Sequence, residues 1–200
     1  LYSNTTGGNN YAFGTSALYS NLTSNANIAI GSVTLNKHTA GDGNIAIGHN
    51  TLYSDLTGYS NSAIGYNSLY SNTTGYNNTA LGYSTLLSNT SGYENIAVGY
   101  QTLNANTTGI FNTAIGSQAL ISNTTGPHNT AVGYAALKAN TTADGNTAVG
   151  YRTLLVSSIG ANNTAIGREA LLDADTGVQN TAIGYLAGGG IVTGDYNTII

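Results

Sequence analysis

Cysteine is absent from this chain of 200 residues, and charge is scarce: four Lys or Arg and eight Asp or Glu. Without cysteine there is no disulfide and no thiolate metal site. Four cations cannot build the basic stripe on which nucleic-acid binding rests, so no nucleic-acid partner is expected. Globular domains carry about a quarter charged residues; here the figure is 6%. The sequence also lacks any apolar run long enough for a membrane-spanning helix, and no signal peptide is visible. No capping element is recognisable at either end, although stacked repeats need caps against edge-to-edge association. The chain starts and stops in mid-phrase, so the array is expected to be a piece of a longer one, truncated at both ends.

What the chain has in abundance is one phrase. "NIAVGYQTLNANTTG", "NTAIGSQALISNTTG" and "NTAVGYAALKANTTA" follow one another at a spacing of 17 residues. If the opening Asn is slot 1, it recurs without insertion or deletion at Asn10, Asn27, Asn44, Asn61, Asn78, Asn95, Asn112, Asn129, Asn146, Asn163, Asn180 and Asn197. Slot 3 is Ala from Ala12 to Ala182, slot 4 is always large and apolar, slot 5 is Gly from Gly14 to Gly184, and slot 9 is Leu from Leu1 to Leu171. The repeat covers residues 1–200 and leaves room for neither a linker nor a second domain.

So short a unit cannot bury enough apolar surface to offset the entropy of ordering its own backbone, so copies must stack. Two near-fixed glycines and an Asn/Thr/Ser cluster per copy disfavour helix. The period is too short for leucine-rich repeats. The reading is therefore all-β: a parallel β-solenoid with one 17-residue coil per rung and about 12 coils. "TAIGY" is expected to form one strand and "ALxS" a second. "NTTG" supplies the main corner, with its Gly free to take a left-handed conformation. The slot 5 Gly marks a bend or a close backbone approach. At about 4.8 Å per rung the rod is on the order of 55 Å long, and every slot becomes a ladder of equivalent residues.

The twelve charges fall only in slots 6, 7, 10–13, 16 and 17, which marks these as the wet side. Slots 4 and 9 are expected to form the dry side: a core of Ile30, Ile47 and Ile64 with Leu52, Leu69, Leu86, Leu103, Leu120 and Leu137. Slot 3 is a place where nothing larger than Ala fits.

The search for chemistry yields little. His38, His49 and His128 occupy different slots in different coils, which suggests no catalytic set and surface positions. Glu169, Asp173 and Asp175 form the one acidic cluster, read as a solvated face. The Gly-Gly-x-Gly-x-Asp pattern of calcium-binding repeats is missing. No phosphate loop follows Gly188–Gly190. No catalytic residue, metal site or cofactor is therefore expected, and the chain is read as a non-enzyme. The slot 1 asparagines read as a structural ladder, each amide bonding the next coil. Asn72, Asn106 and Asn123 stand in glycosylation sequons. Tyr66, Tyr83, Tyr100, Tyr134 and Tyr151 in slot 6 form a surface ladder suited to stacking, and to binding sugars or proteins. Thr rows in slots 2 and 13 suit β structure, and alternatively present a regular surface to ice.

The phrase "NTAIGYxALxSNTTG" resembles the head repeats of trimeric autotransporter adhesins over slots 1–5. It is also similar to the 17-residue repeats of bacterial and phage tail-fibre-like proteins. The resemblance spans the whole chain, although its period is longer than that of the autotransporter heads. It implies a left-handed, trimeric parallel β-roll, displayed outside the cell, on its surface or on a virion. Such a roll serves attachment. The partners implied are copies of the chain itself, as a homotrimer or filament, and a glycan or protein on a host surface. Trimerisation would set one of slots 3 and 4 toward the coil interior and the other toward the threefold axis. The expected function is a structural and adhesive fibre segment with multivalent contacts; the alternative is an ice-binding solenoid.

Overall fold

Each Thr-Ala-Ile phrase is a short strand, with β-branched residues outside and Ala inside, as alternation requires. The computed structural model describes residues 1–200 and contains twelve such strands. They are β1 Tyr11–Phe13, β2 Ile28–Ile30, β3 Ile45–Ile47, β4 Ser62–Ile64, β5 Thr79–Leu81 and β6 Ile96–Val98. Then follow β7 Thr113–Ile115, β8 Thr130–Val132, β9 Thr147–Val149, β10 Thr164–Ile166, β11 Thr181–Ile183 and β12 Thr198–Ile199. They pair in chain order and in parallel, forming one 12-stranded sheet with a register shift of one repeat, so that Ala97 faces Ala114 and Val98 faces Ile115. The fold is an all-β parallel solenoid.

The expected second strand does not form. Slots 6 to 9 are turns in every complete coil, because the backbone there twice enters the left-handed region. Gln101 and Leu103 have φ of 53° and 50°, and the leucines from Leu18 to Leu171 all lie between 46° and 52°. A non-glycine residue there costs roughly 1–2 kcal/mol. Burying a leucine gains about 1.5–3 kcal/mol, which offsets it. The turns still hydrogen-bond coil to coil: Leu103 N–H donates to Ala119 O at 3.1 Å and Gln118 N–H to Tyr100 O at 2.9 Å. Only 22 of the 118 backbone hydrogen bonds lie within the strands, so the stack is held chiefly by its irregular parts.

The core is one column of Ala against one column of Leu. Ala29 to Ala182 in slot 3 and Leu18 to Leu171 in slot 9 are fully buried. This corrects the expected dry side. Ile30 and Ile64 are 41% and 40% exposed, and Ile47 is only half-buried. They point out of the coil, because slot 3 takes the inward direction and its neighbours in a strand must take the other. Slot 8 joins the interior with small residues only; Thr102 Oγ1, for example, donates to Gly116 O at 2.8 Å.

Glycine recurs twice per coil for different reasons, at slot 5 from Gly14 to Gly184 and at slot 15 except for Ser24 and Ala143. At slot 5, Gly99 has φ of 137°, and a Cβ there would stand 2.8 Å from the Gly116 carbonyl carbon. Slot 15 was expected to need a left-handed backbone, yet Gly75, Gly92 and Gly109 have no positive φ. What excludes a side chain is crowding: a Cβ on Gly109 would sit 2.9 Å from Gly126 O and press into the Asn106 amide.

Truncating Leu103 to Ala is expected to destabilise the rod by about 2–5 kcal/mol. Ile115→Ala, on the outer face, should cost under about 1 kcal/mol in the monomer. Chemical denaturation of the two variants under monomeric conditions checks this; equal losses would put slot 4 back in the core.

Candidate interaction surface

Two polar columns and three outward ladders make up the remainder of each coil. The first column is the slot 1 asparagines. Asn95 Oδ1 accepts from the backbone N–H of Asn112 at 3.0 Å and from its Nδ2 at 3.2 Å. Asn112 Nδ2 also donates across its own coil to Gly126 O at 2.9 Å. The same arrangement recurs at Asn44, Asn61 and Asn78. From Asn27 to Asn180 these side chains are fully or almost fully buried.

The second column, slot 12, was assigned to the wet side and is instead buried. Asn89, Asn106, Asn123 and Asn140 each donate Nδ2 to the Oδ1 one coil earlier, at 2.8–3.0 Å. Each also donates to the slot 15 carbonyl of its own coil, as Asn106 does to Gly109 O at 3.1 Å. That carbonyl thus receives two side-chain amides, which is why its glycine has no space for a Cβ. The sequon asparagines Asn72, Asn106 and Asn123 are buried in this column, where the folded chain leaves them closed to a glycosylating enzyme. Ser157 follows Asn140 and is too short to continue the chain of amides, so Asn140 Oδ1 has no donor.

Between Asn21 and Asn72 the column carries a buried ionisable pair. His38, expected at the surface, is fully buried, as is Asp55 in the next coil. His38 Nδ1 lies 2.6 Å from Asp55 Oδ2, and its Nε2 lies 2.8 Å from Gly41 O. A carbonyl only accepts, so Nε2 carries a hydrogen. Asp55 Oδ1 takes the Asn72 amide at 2.6 Å. Desolvation pushes the Asp55 carboxyl above its ordinary range, against the opposing pull of the His38 hydrogen bond and charge and of the Asn72 amide. A single Asp in slot 12 made the slot look solvated; six asparagines in it, from Asn21 to Asn140, were the contrary signal. His49 and His128 are exposed, as expected.

Three outward ladders remain. The outer sheet face carries slot 4, with Ile30, Ile64, Leu81, Ile115, Ile166 and Ile183 all at least two-fifths exposed, and alongside it slot 2. Slot 6 carries Tyr66, Tyr83, Tyr100, Tyr134 and Tyr151, all exposed. Their rings stack: Tyr66 on Tyr83, Tyr83 on Tyr100 and Tyr134 on Tyr151, each at 5.4 Å between centroids. Stacking turns ring faces toward one another and leaves edges and hydroxyls outward. Slot 16 carries Tyr59, Tyr76 and Tyr93, stacked at 4.7 and 4.6 Å, and the row continues through Phe111 to His128. The slot 13 threonines donate their hydroxyls along the rod, Thr73 to Thr90 O at 2.9 Å and Thr107 to Thr124 O at 3.1 Å.

Comparison with protein-family models, curated proteins and solved structures finds no match to this chain. The surface must therefore be read from its own chemistry. No group of three or more His, Cys, Asp or Glu side chains is placed to hold a metal ion. In the acidic cluster, Glu169 lies 3.4 Å from Arg152 and 3.7 Å from Arg168, and Asp175 accepts from Ser158 Oγ at 2.5 Å. No helix is long and apolar enough to cross a membrane.

The His38–Asp55 pair generates a pH dependence of unusual sign. With its pKa raised on folding, Asp55 holds a proton in the folded chain at pH values where the unfolded chain has lost it. Its contribution is then present below the ordinary carboxylate value of 3.8 and is lost as pH rises through the folded value. Asp55→Asn restores a ladder rung, with its amide donating to His38 Nδ1. Its melting temperature is expected to lose the downward slope with rising pH that the parent shows above pH 3.8. Parallel slopes for the two proteins would show that the pair is not the source.

Proposed function

We propose that this chain is a structural fibre segment that associates with copies of itself through the outer face of its sheet, as a homotrimer or filament. It would serve attachment outside the cell, at its surface or on a virion. The observation that carries the reading is the apolar row of slot 4, which runs unbroken from Phe13 to Ile183 with the uncharged residues of slot 2 beside it. Contiguous exposed apolar rows of this kind mark interaction surfaces. The stripe holds Ile, Val, Leu, Thr and Ser and no charged residue, so identical copies meet without repulsion. Ala in slot 3 fills the coil, which leaves the slot 4 residues free for the axis between copies.

The similarity of "NTAIG" to adhesin-head and tail-fibre repeats supports the same reading. Mechanically, a stiff stack projects whatever lies at its end. Ladders along its sides repeat each weak contact at every rung, so avidity accumulates without any single strong site. Ice binding has weaker support, since the slot 13 hydroxyls are engaged along the rod.

Sedimentation equilibrium tests the proposal. The parent chain is expected to sediment as a trimer or larger species. Ile64→Lys, Ile115→Lys and Ile166→Lys combined should reduce it to 20.3 kDa while the circular-dichroism spectrum is unchanged. A monomeric parent removes the self-association; an oligomer that survives the three lysines removes this face as its interface.

A further inference from the structure

Three of the four basic side chains, Lys138, Arg152 and Arg168, occur in three successive coils on one flank. They border a groove of about 370 Å³ lined by Tyr134, Ala135, Lys138, Tyr151, Arg152 and Leu155. The groove has a small residue at its floor. Slot 7 holds Gln118 in the coil before and Arg152 in the coil after, whereas Ala135 is small and buried. The stacked rings of Tyr134 and Tyr151 make one wall, and Leu155 and the Lys138 stem make the other. Arg168 extends over the Tyr151 ring, 5.6 Å from its centroid. Glu169 is the one carboxylate in contact with this group and is shared by the two arginines, so the cluster keeps a net positive charge within a chain of net charge −4.

We propose that this groove binds a carboxylated sugar unit of a surface glycan. The carboxylate lies against Lys138 and Arg152, the latter suited to planar, two-point recognition of such a group. The sugar ring lies over Ala135, its apolar edge toward Leu155 and its hydroxyls toward the Tyr134 and Tyr151 phenols. The volume is at the low end of the roughly 300–1,000 Å³ of small-molecule sites, a size for a sugar ring rather than an extended peptide. None of the slot 4 residues that face the proposed axis lines the groove. The proposal gives a ligand class to the attachment role argued above and rests on that reading, yet it fails separately: sedimentation reports the assembly, titration the groove.

The test is calorimetric titration of the full 200-residue chain with D-glucuronic acid, D-glucose and glutarate, at low salt and at high salt. Glucuronate is expected to bind in the millimolar range, at least about tenfold more tightly than glucose or glutarate, and to weaken with salt. Ala135→Gln fills the groove with the side chain that Gln101 and Gln118 carry at equivalent positions, so it should fold normally and lose glucuronate binding at least about tenfold. Lys138→Gln with Arg152→Gln should do the same. Equal binding of glucose and glucuronate overturns the proposal, as does unchanged binding in Ala135→Gln. Glutarate binding as tightly as glucuronate also overturns it, in favour of an acidic peptide.

Discussion

The bond from each slot 1 asparagine to the next sets the geometry of the molecule. Asn95 Oδ1 receives both donors of the residue one coil later, the backbone N–H and the side-chain amide of Asn112. A buried amide must find its partners or forfeit about 1–3 kcal/mol. An insertion or deletion within one coil would slide the asparagine that follows it off its predecessor. The 17-residue period is thus enforced by polar groups as much as by apolar ones. The remainder follows from the small bore that this period encloses. One leucine and one alanine fill it, slot 8 must stay small, and slot 5 is glycine where carbonyls of adjacent coils approach, as slot 15 is except at Ser24 and Ala143.

The thin core has a consequence for assembly. Neighbouring residues of a strand face opposite ways, so with the slot 3 Ala turned into the narrow coil the larger apolar residue of slot 4 is left outside. Here the shape that makes the rod also leaves it with an uncovered apolar face, and self-association is the proposed resolution. The interior is not uniform along the rod either. Slot 12 begins with Asn4 and Asn21, passes through the buried His38–Asp55 pair, continues as asparagines to Asn140, and ends as Ser157, Ala174 and Ile191. Stability should therefore respond to pH most strongly near His38 and Asp55.

Much of this was legible in the sequence, for a physical reason. In a stack, one position's environment is sampled about a dozen times, so the identity of a slot reports its surroundings without an alignment. Asn in slot 1, Ala in slot 3, Gly in slot 5 and Leu in slot 9 were each restricted enough to indicate ladder, inner surface, close approach and core. The misreadings came where a slot was judged by its hydrophobicity or by one occupant. Ile30, Ile47 and Ile64 were assigned to the core because they are apolar, although their alternation with a fixed Ala placed them opposite it. Slot 12 was assigned to solvent because of Asp55, although seven asparagines share it. The second strand was expected from "ALxS"; composition carries no sign that Leu103 and its equivalents take φ near 50°. The groove at Ala135 was not legible at all, since it depends on which long side chain is missing between two stacked rings.

Hydrogen exchange in Asn112→Ala tests the central bond directly. Asn112 Oδ1 accepts the backbone N–H of Asn129 at 2.9 Å, whereas the N–H of Asn95 bonds to Asn78 at 3.1 Å and does not involve position 112. Removing the acceptor should speed exchange at Asn129 by at least about fivefold while Asn95 is affected far less. Equal effects at the two amides, or no change at Asn129, would contradict the account.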